Sequence, residues 1–287
     1  MRLTAPAPGK VNLCLFLGPL RADRRHEVVT LLESVSVADE VTVELAATPA
    51  DQVVCADIPQ GNIVTRTLDG LRECGWDGPP LRVVIRKRVP VAAGMGGGSA
   101  DAAAMLRLAG AIAPLPRDVA MDLAAALGAD VPSQLVPGLV LGTGAGEVVE
   151  PVDPLGPHAF VIVPQAFGLS TAEVYRAADR LGLRRDASDL ADRLRDLRAG
   201  TEPSLVNDLE PAAISLRPEI GRALDAVRDT GAAHAMVSGS GPTVFGIFHG
   251  PDAPALAEAA AGDLAGRYPG AACATPVSEE FGAPRGS

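Results

Sequence analysis

A run of four glycines in five positions, Gly94-Met95-Gly96-Gly97-Gly98, constrains this chain of 287 residues more than any other stretch. Glycine has no Cβ and loses the most backbone freedom on ordering, so such a run fills neither a core helix nor a core strand. Pro90 precedes it, and the alanine-rich stretch Ser99–Gly110 behind it has high helix propensity. The chain therefore turns through a loop with unobstructed amides and then enters a helix, whose first-turn N–H groups and dipole favour an anion. A Walker A loop needs a lysine directly after its last glycine, and a dinucleotide-binding loop needs a third glycine where Ser99 stands. Neither pattern fits, which leaves an anion cradle of another kind or a plain strand-to-helix connection.

Two further stretches carry polar groups where a core would exclude them. Pro8-Gly9-Lys10-Val11-Asn12-Leu13 opens an apolar run suited to a buried strand over Val11–Leu17. Side chains alternate along a strand, so Lys10 and Asn12 share one face. Leu127-Gly128-Ala129-Asp130-Val131-Pro132 ends a helix at glycine and presents a carboxylate on the turn, as a catalytic group or as a simple Asx cap. Val237-Ser238-Gly239-Ser240-Gly241-Pro242-Thr243 reads as a hairpin turn or as a second close-approach loop between two strands.

Elsewhere short strands and longer helices mix without strict alternation, which predicts an α+β architecture. Strands are expected at Val41–Leu45, Leu81–Ile85, Ala159–Val163, Ala235–Val237 and Thr243–Phe248. Helices are expected at Asn62–Cys74 (with Asn62 as N-cap), Arg117–Leu127, Thr171–Leu181, Ala187–Arg198, Pro211–Ile214, Pro218–Thr230 and Ala253–Arg267. Prolines 151, 154 and 157 suggest a boundary, dividing the chain into domains 1–153 and 154–287. The tail from Phe281 is expected to fray. His158, His234 and His249 read as surface or loop histidines, and Trp76 as a packing residue.

Composition narrows the function classes. The net charge of −10 and an aromatic content of 3% argue against a nucleic-acid or anionic-membrane binder. Four dispersed cysteines (14, 55, 74 and 273) form no C-x-x-C pair and match no zinc spacing. They read as reduced thiols of a cytoplasmic protein, and no apolar run reaches the length of a membrane span. Of the 25 basic residues only Lys10 and Lys87 are lysines. Oligomeric state stays open between monomer and homodimer.

Taken in order, Pro8–Leu13, Pro90–Ala100 and Ser238–Pro242 resemble the three motifs of the GHMP kinase superfamily, which includes galactokinase, homoserine kinase, mevalonate kinase and phosphomevalonate kinase. Within it, five stretches are similar to the branch acting on cytidyl-methylerythritol in non-mevalonate isoprenoid synthesis. They are Arg21-Ala22-Asp23-Arg24-Arg25-His26, Ser36–Val43, Gly96–Ala103, Leu127–Pro132 and Leu169–Tyr175. The resemblance runs from about Leu3 to about Phe248.

The resemblance implies a two-domain α+β GHMP kinase fold, its N-terminal domain like ribosomal protein S5 domain 2, with the active site in the interdomain cleft. It implies ATP, carried with Mg²⁺, as phosphoryl donor, no dedicated protein metal site, and a cytidine-diphosphate sugar alcohol phosphorylated on its 2-hydroxyl. The catalytic pair falls on Lys10 and Asp130, with Asp130 as base. ATP contacts fall on Asn62, Lys87, Pro90, Val91, Ala92, Ala93, Gly94, Met95, Gly96, Gly97, Gly98, Ser99 and Ala100. Substrate contacts fall on Asn12, Arg25, His26, Asp130, Thr171, Tyr175, Gly239 and Ser240, with Tyr175 stacking on cytosine. The chain departs from the branch at Arg24-Arg25, where a glycine and an aromatic residue are expected; a guanidinium can stack on a base in the aromatic's place. That departure motivates the alternative of a homoserine- or mevalonate-type kinase. From another class, a non-catalytic nucleotide-binding module would need neither Lys10 nor Asp130.

Overall fold

The computed structural model describes residues 1–58 and 61–286. It begins with two long antiparallel strands, β1 (Arg2–Leu20) and β2 (His26–Leu45), joined by the hairpin loop 21–25. The strand expected at Val11–Leu17 is the middle of β1. Pro6, Pro8 and Gly9 hide its first half from a propensity reading, and the ladder absorbs them with register shifts between Pro8 and Lys10 and between Asn12 and Cys14. After β3 (Gln52–Cys55) comes α1 (Ile63–Glu73), capped by Asn62, whose side chain accepts the Val64 N–H at 2.9 Å.

Strand β4 (Leu81–Arg86) leads through the glycine loop into α2 (Gly97–Ile112), then α3 (Arg117–Leu127) and the single turn α4 (Val131–Leu135). The hairpin β5 (Leu139–Thr143) and β6 (Val148–Pro151) follows. The second half runs β7 (His158–Val163), α5 (Thr171–Leu181), α6 (Ala187–Arg198), α7 (Glu210–Leu216) and α8 (Glu219–Arg228). It finishes with β8 (His234–Val237), β9 (Val244–His249), α9 (Ala253–Ala265), β10 (Ala272–Ala274) and the short β11 (Arg285–Gly286). Most expected elements form within a residue or two of their limits.

The first sheet has the order β11-β1-β2-β4-β3, with β5 also paired to β2 and β6 to β5; the second is β10-β7-β9-β8. One apolar cluster covers the first sheet with α1, α2, α3 and α4, through Val41, Leu81, Leu106 and Leu108. A second fills the space between the second sheet and its helices. A third is shared: Leu13, Phe16 and Leu31 of the first sheet meet Phe160, Phe245 and Ile247 of the second. The two halves are thus welded by apolar burial at about 25 cal/mol per Å², rather than hinged on a thin linker.

Two expectations are corrected here. His158 is not a surface residue: its Nε2 lies 2.8 Å from Glu33 Oε2, both side chains buried, on strands from opposite halves. Burial opposes its charge, but the hydrogen bond and negative charge of Glu33 outweigh that and hold the imidazole above its ordinary pKa. Nor does the tail fray as far as Gly286; Ser287 lies outside the described residues. Arg107 on α2 donates to the carbonyls of Gly282, Gln134 and Pro6, and β11 then adds to the edge of β1 at Leu3–Thr4. Trp76 is buried, as expected of a packing residue, with the Arg72 guanidinium over its ring. No helix among the described residues is long and apolar enough to cross a membrane.

Candidate active site

Lys10 and Asn12 do project from one face of β1, and the lysine is almost fully buried. Its Nζ donates to Asn12 Oδ1 at 2.8 Å and to the Gly94 carbonyl at 2.9 Å. Asn12 is oriented in turn by Thr30 on β2: its Nδ2 donates to Thr30 Oγ1 at 2.8 Å, and that hydroxyl donates to the Cys14 carbonyl at 2.7 Å. A buried ammonium is tolerated only when its donors find partners. Two of the three here are fixed by the protein, and the third is left for the cleft.

The glycine loop and the Ser238–Pro242 loop close on each other above this lysine. Gly94 has φ +77°, and a Cβ there would stand 2.6 Å from the Gly241 carbonyl oxygen and 2.7 Å from that of Ser238. Glycine is needed for contact as much as for conformation. The Thr243 N–H donates to the Ala93 carbonyl at 3.2 Å, and Asn207 donates to the carbonyls of Val237 (2.8 Å) and Gly239 (2.7 Å). The second loop is thus the close-approach loop that its sequence left open, not a bare hairpin turn. Gly96, in the left-handed region at φ +66°, starts α2, and no side chain caps that helix. Its first-turn amides therefore face the cleft as an anion site.

Asp130 approaches from the other wall. It occupies the N-cap position of α4, yet its side chain makes no capping hydrogen bond. This excludes the simple Asx-cap reading. The carboxylate is part-exposed, with Oδ2 3.6 Å from Lys10 Nζ. That separation holds the charges together without a direct hydrogen bond, so the carboxylate oxygens stay open to a hydroxyl.

Lys87 behaves differently from Lys10. Its Nζ sits between Asp101 Oδ2, at 2.7 Å, and Asp39, all three side chains nearly buried. Asp39 also accepts the backbone N–H groups of Arg88 and Val89. The triad ties β2, the segment after β4 and the N-terminal half of α2 into one unit that brackets the glycine loop. Burial pushes the Asp101 carboxyl up, to about 7, against the opposing pull of Lys87. Lys87 touches the cleft wall, but its charge is matched internally.

At the far end, α5 brings Thr171 and Tyr175 against the β1–β2 hairpin. Thr171 Oγ1 lies 2.9 Å from Ser240 Oγ, and the Tyr175 and His26 rings are 5.6 Å apart. His26 is buried, with Nδ1 3.1 Å from the Gly18 carbonyl and Nε2 3.3 Å from Asp179 Oδ1. Arg25 is half-exposed and braced by Asp23 at 3.2 Å and Glu147 at 3.6 Å.

These walls enclose one cleft of about 1000 Å³. That is the upper end of the range for a single small-molecule site. Nineteen of the expected site residues line it: Lys10, Asn12, Arg25, His26, Lys87, Pro90 to Gly94, Gly96 to Ser99, Asp130, Thr171, Tyr175, Gly239 and Ser240. Three expected at the nucleotide do not. Met95 and Ala100 are fully buried in the apolar clusters, and the Ala100 N–H already donates to the Gly96 carbonyl. Asn62 caps α1 from beneath the surface, leaving its buried Nδ2 without a partner. The sequence reading missed Arg24, Arg176 and Asp179, which also line the cleft. Arg176 follows Tyr175, and Asp179 stands one helical turn beyond it, a spacing that could have placed Asp179 on the same face. No cluster of three or more metal-ligating side chains occurs among the described residues.

The models "GHMP kinases N terminal domain" and "GHMP kinases C terminal" match residues 62–138 and 177–265. The 4-diphosphocytidyl-2-C-methyl-D-erythritol kinase of Arthrobacter sp. (strain FB24) is 39% identical over 277 residues, covering 88% of this chain and 87% of the relative. A crystal structure of 4-(cytidine 5'-diphospho)-2C-methyl-D-erythritol kinase superposes with a TM-score of 0.78 at 32% identity, covering 95% of this chain and 98% of the other. The homoserine kinase from Cytophaga hutchinsonii shares the fold, with a TM-score of 0.69 at 18% identity and coverage of 99% and 96%.

Proposed function

We infer, from the premise that the chain belongs to the GHMP kinase family and within it to the 4-diphosphocytidyl-2-C-methyl-D-erythritol kinases, how this cleft performs ATP-dependent phosphorylation of that substrate. The observation that carries the reading is the Lys10–Asp130 pair facing an uncapped helix N-terminus in the same cleft. The methylerythritol end lies between Asn12 and Asp130. Asp130 accepts the proton of the 2-hydroxyl as the oxygen attacks the γ-phosphorus of ATP and ADP departs, and Lys10 offsets charge on the nucleophile.

Phosphoryl transfer asks chiefly for alignment and charge compensation. The amides of Gly96 to Ser99 supply both for the ATP phosphates, which arrive as the Mg²⁺ complex. Ile63, against Gly98, and Val91 offer an apolar bed for the adenine. The cytosine lies at the His26–Tyr175 end, with the braced Arg25 guanidinium in the place of the aromatic residue usual in the branch.

ATP consumption by the purified chain, measured in turn with 4-diphosphocytidyl-2-C-methyl-D-erythritol, homoserine and mevalonate, tests this. Turnover is expected with the cytidyl substrate and not with the other two. Turnover with homoserine or mevalonate alone would assign the cleft to another branch.

A further inference from the structure

The cleft wall carries six groups that are or can become cationic, and four are already matched. Lys10 faces Asp130, Lys87 faces Asp39 and Asp101, Arg25 faces Asp23 and Glu147, and His26 faces Asp179. Arg24 and Arg176 are different: neither has a carboxylate within 4.0 Å among the described residues, and both are exposed to the cleft. In a chain of net charge −10, two unmatched guanidiniums in one cleft are a local exception.

Arg24 is also conformationally unusual. The 21–25 turn is closed by the Arg21 N–H to the Arg25 carbonyl at 2.7 Å and the Arg24 N–H to the Arg21 carbonyl at 3.1 Å. This geometry puts Arg24 in the left-handed region at φ +65°. Glycine adopts that conformation freely, whereas a side chain with a Cβ is strained in it. Only one other non-glycine residue among those described has positive φ: Ala92, in the glycine loop. Both strained residues line the cleft, and backbone strain of this kind collects where function holds it.

The geometry points to Arg24, joined by Arg176 from α5, as a clamp for the diphosphate of the cytidyl substrate, a role that rests on the reading of the cleft given above. A diphosphate is a multiply charged anion whose oxygens match the planar guanidinium fork. It must lie between the cytosine and the methylerythritol, and the two arginines flank the residues assigned to the cytosine: Arg24 precedes Arg25 and His26, and Arg176 follows Tyr175. The glycine-loop amides are taken by ATP, and every other cation on the wall has a carboxylate partner.

Calorimetric titration of the full chain with cytidine, CMP and CDP tests this, with thermal unfolding and the KM for ATP measured alongside. Arg24→Gly should raise the Kd for CDP about tenfold, change that for cytidine less than about twofold, and leave the KM for ATP unchanged. It should also raise Tm by about 2 °C, because the strained residue becomes a glycine. Arg176→Gln should weaken CDP in the same selective way. Equal weakening of cytidine and CDP would place Arg24 on the base and overturn the proposal, as would unchanged CDP affinity in both variants or a rise in the KM for ATP instead. A wild-type chain that bound no CDP and phosphorylated no cytidyl substrate would overturn the reading of the cleft and the clamp together. Wild-type binding and turnover with unaltered variants would overturn the clamp alone.

Discussion

Asp130→Asn is expected to lower kcat by ~10² to 10⁴ while leaving the KM for ATP and for the cytidyl substrate within a fewfold of their wild-type values. The substitution keeps the shape of the side chain and removes only its charge and its capacity to take a proton. Nothing in the local fold depends on that carboxylate: it caps no helix, and its contact with Lys10 is a 3.6 Å ion pair from a part-exposed position. The lysine it leaves behind still donates to Asn12 and Gly94. Stability should therefore hold, and a loss of rate read as a loss of the base. Steady-state kinetics together with thermal unfolding check this. An unchanged kcat would remove Asp130 from the base role, and a KM rise with kcat intact would make it a binding residue only.

Lys10→Arg is expected to be nearly as damaging, by ~10² to 10³ in kcat, although charge is conserved. The chain uses arginine at 23 of its 25 basic positions, so the exchange is broadly accepted on its surface. Around Lys10 there is no room for it. A Cβ on Gly96 would lie 3.2 Å from Lys10 Cε, and one on Gly239 would lie 3.3 Å from Nζ. A glycine from each of the two loops thus lies against the lysine side chain. A guanidinium is broader than an ammonium and presents its donors in a fixed plane, so it displaces one loop or leaves Asn12 and Gly94 unsatisfied. Comparing kcat and Tm of Lys10→Arg with those of an exposed control such as Arg195→Lys separates the two situations. Near wild-type turnover in Lys10→Arg would show that any cation serves there.

Much of the cleft lining was legible in the sequence because its signals are local. Four glycines before an alanine-rich helix, and two polar residues two apart in an apolar strand, state their geometry within a few positions. Helices α3, α5 and α6 are equally local, and their expected limits match those formed. What escaped depends on partners far away in the chain. His158 reads as a loop histidine until β7 is laid beside Glu33, 125 residues earlier. Lys87 is expected at the nucleotide from the resemblance, and only the fold reveals Asp39 and Asp101 on either side of it. The tail is polar and small, yet Arg107 on α2 holds it through carbonyls that no composition argument could place. Arg24 lies between these cases: the sequence showed an arginine where glycine is usual, and the backbone showed why that matters.

The central claim is that one cleft brings the substrate hydroxyl, the Asp130 carboxylate and the ATP γ-phosphate into line. A crystal structure of the chain with the cytidyl substrate and a non-hydrolysable ATP analogue measures this directly. The account predicts the 2-hydroxyl oxygen at about 3 Å from an Asp130 oxygen and in line with the γ-phosphorus, with the nucleotide phosphates on the Gly96–Ser99 amides and cytosine at the Tyr175 end. A hydroxyl held out of hydrogen-bond reach of Asp130, or adenine bound at the Tyr175 end, would contradict it.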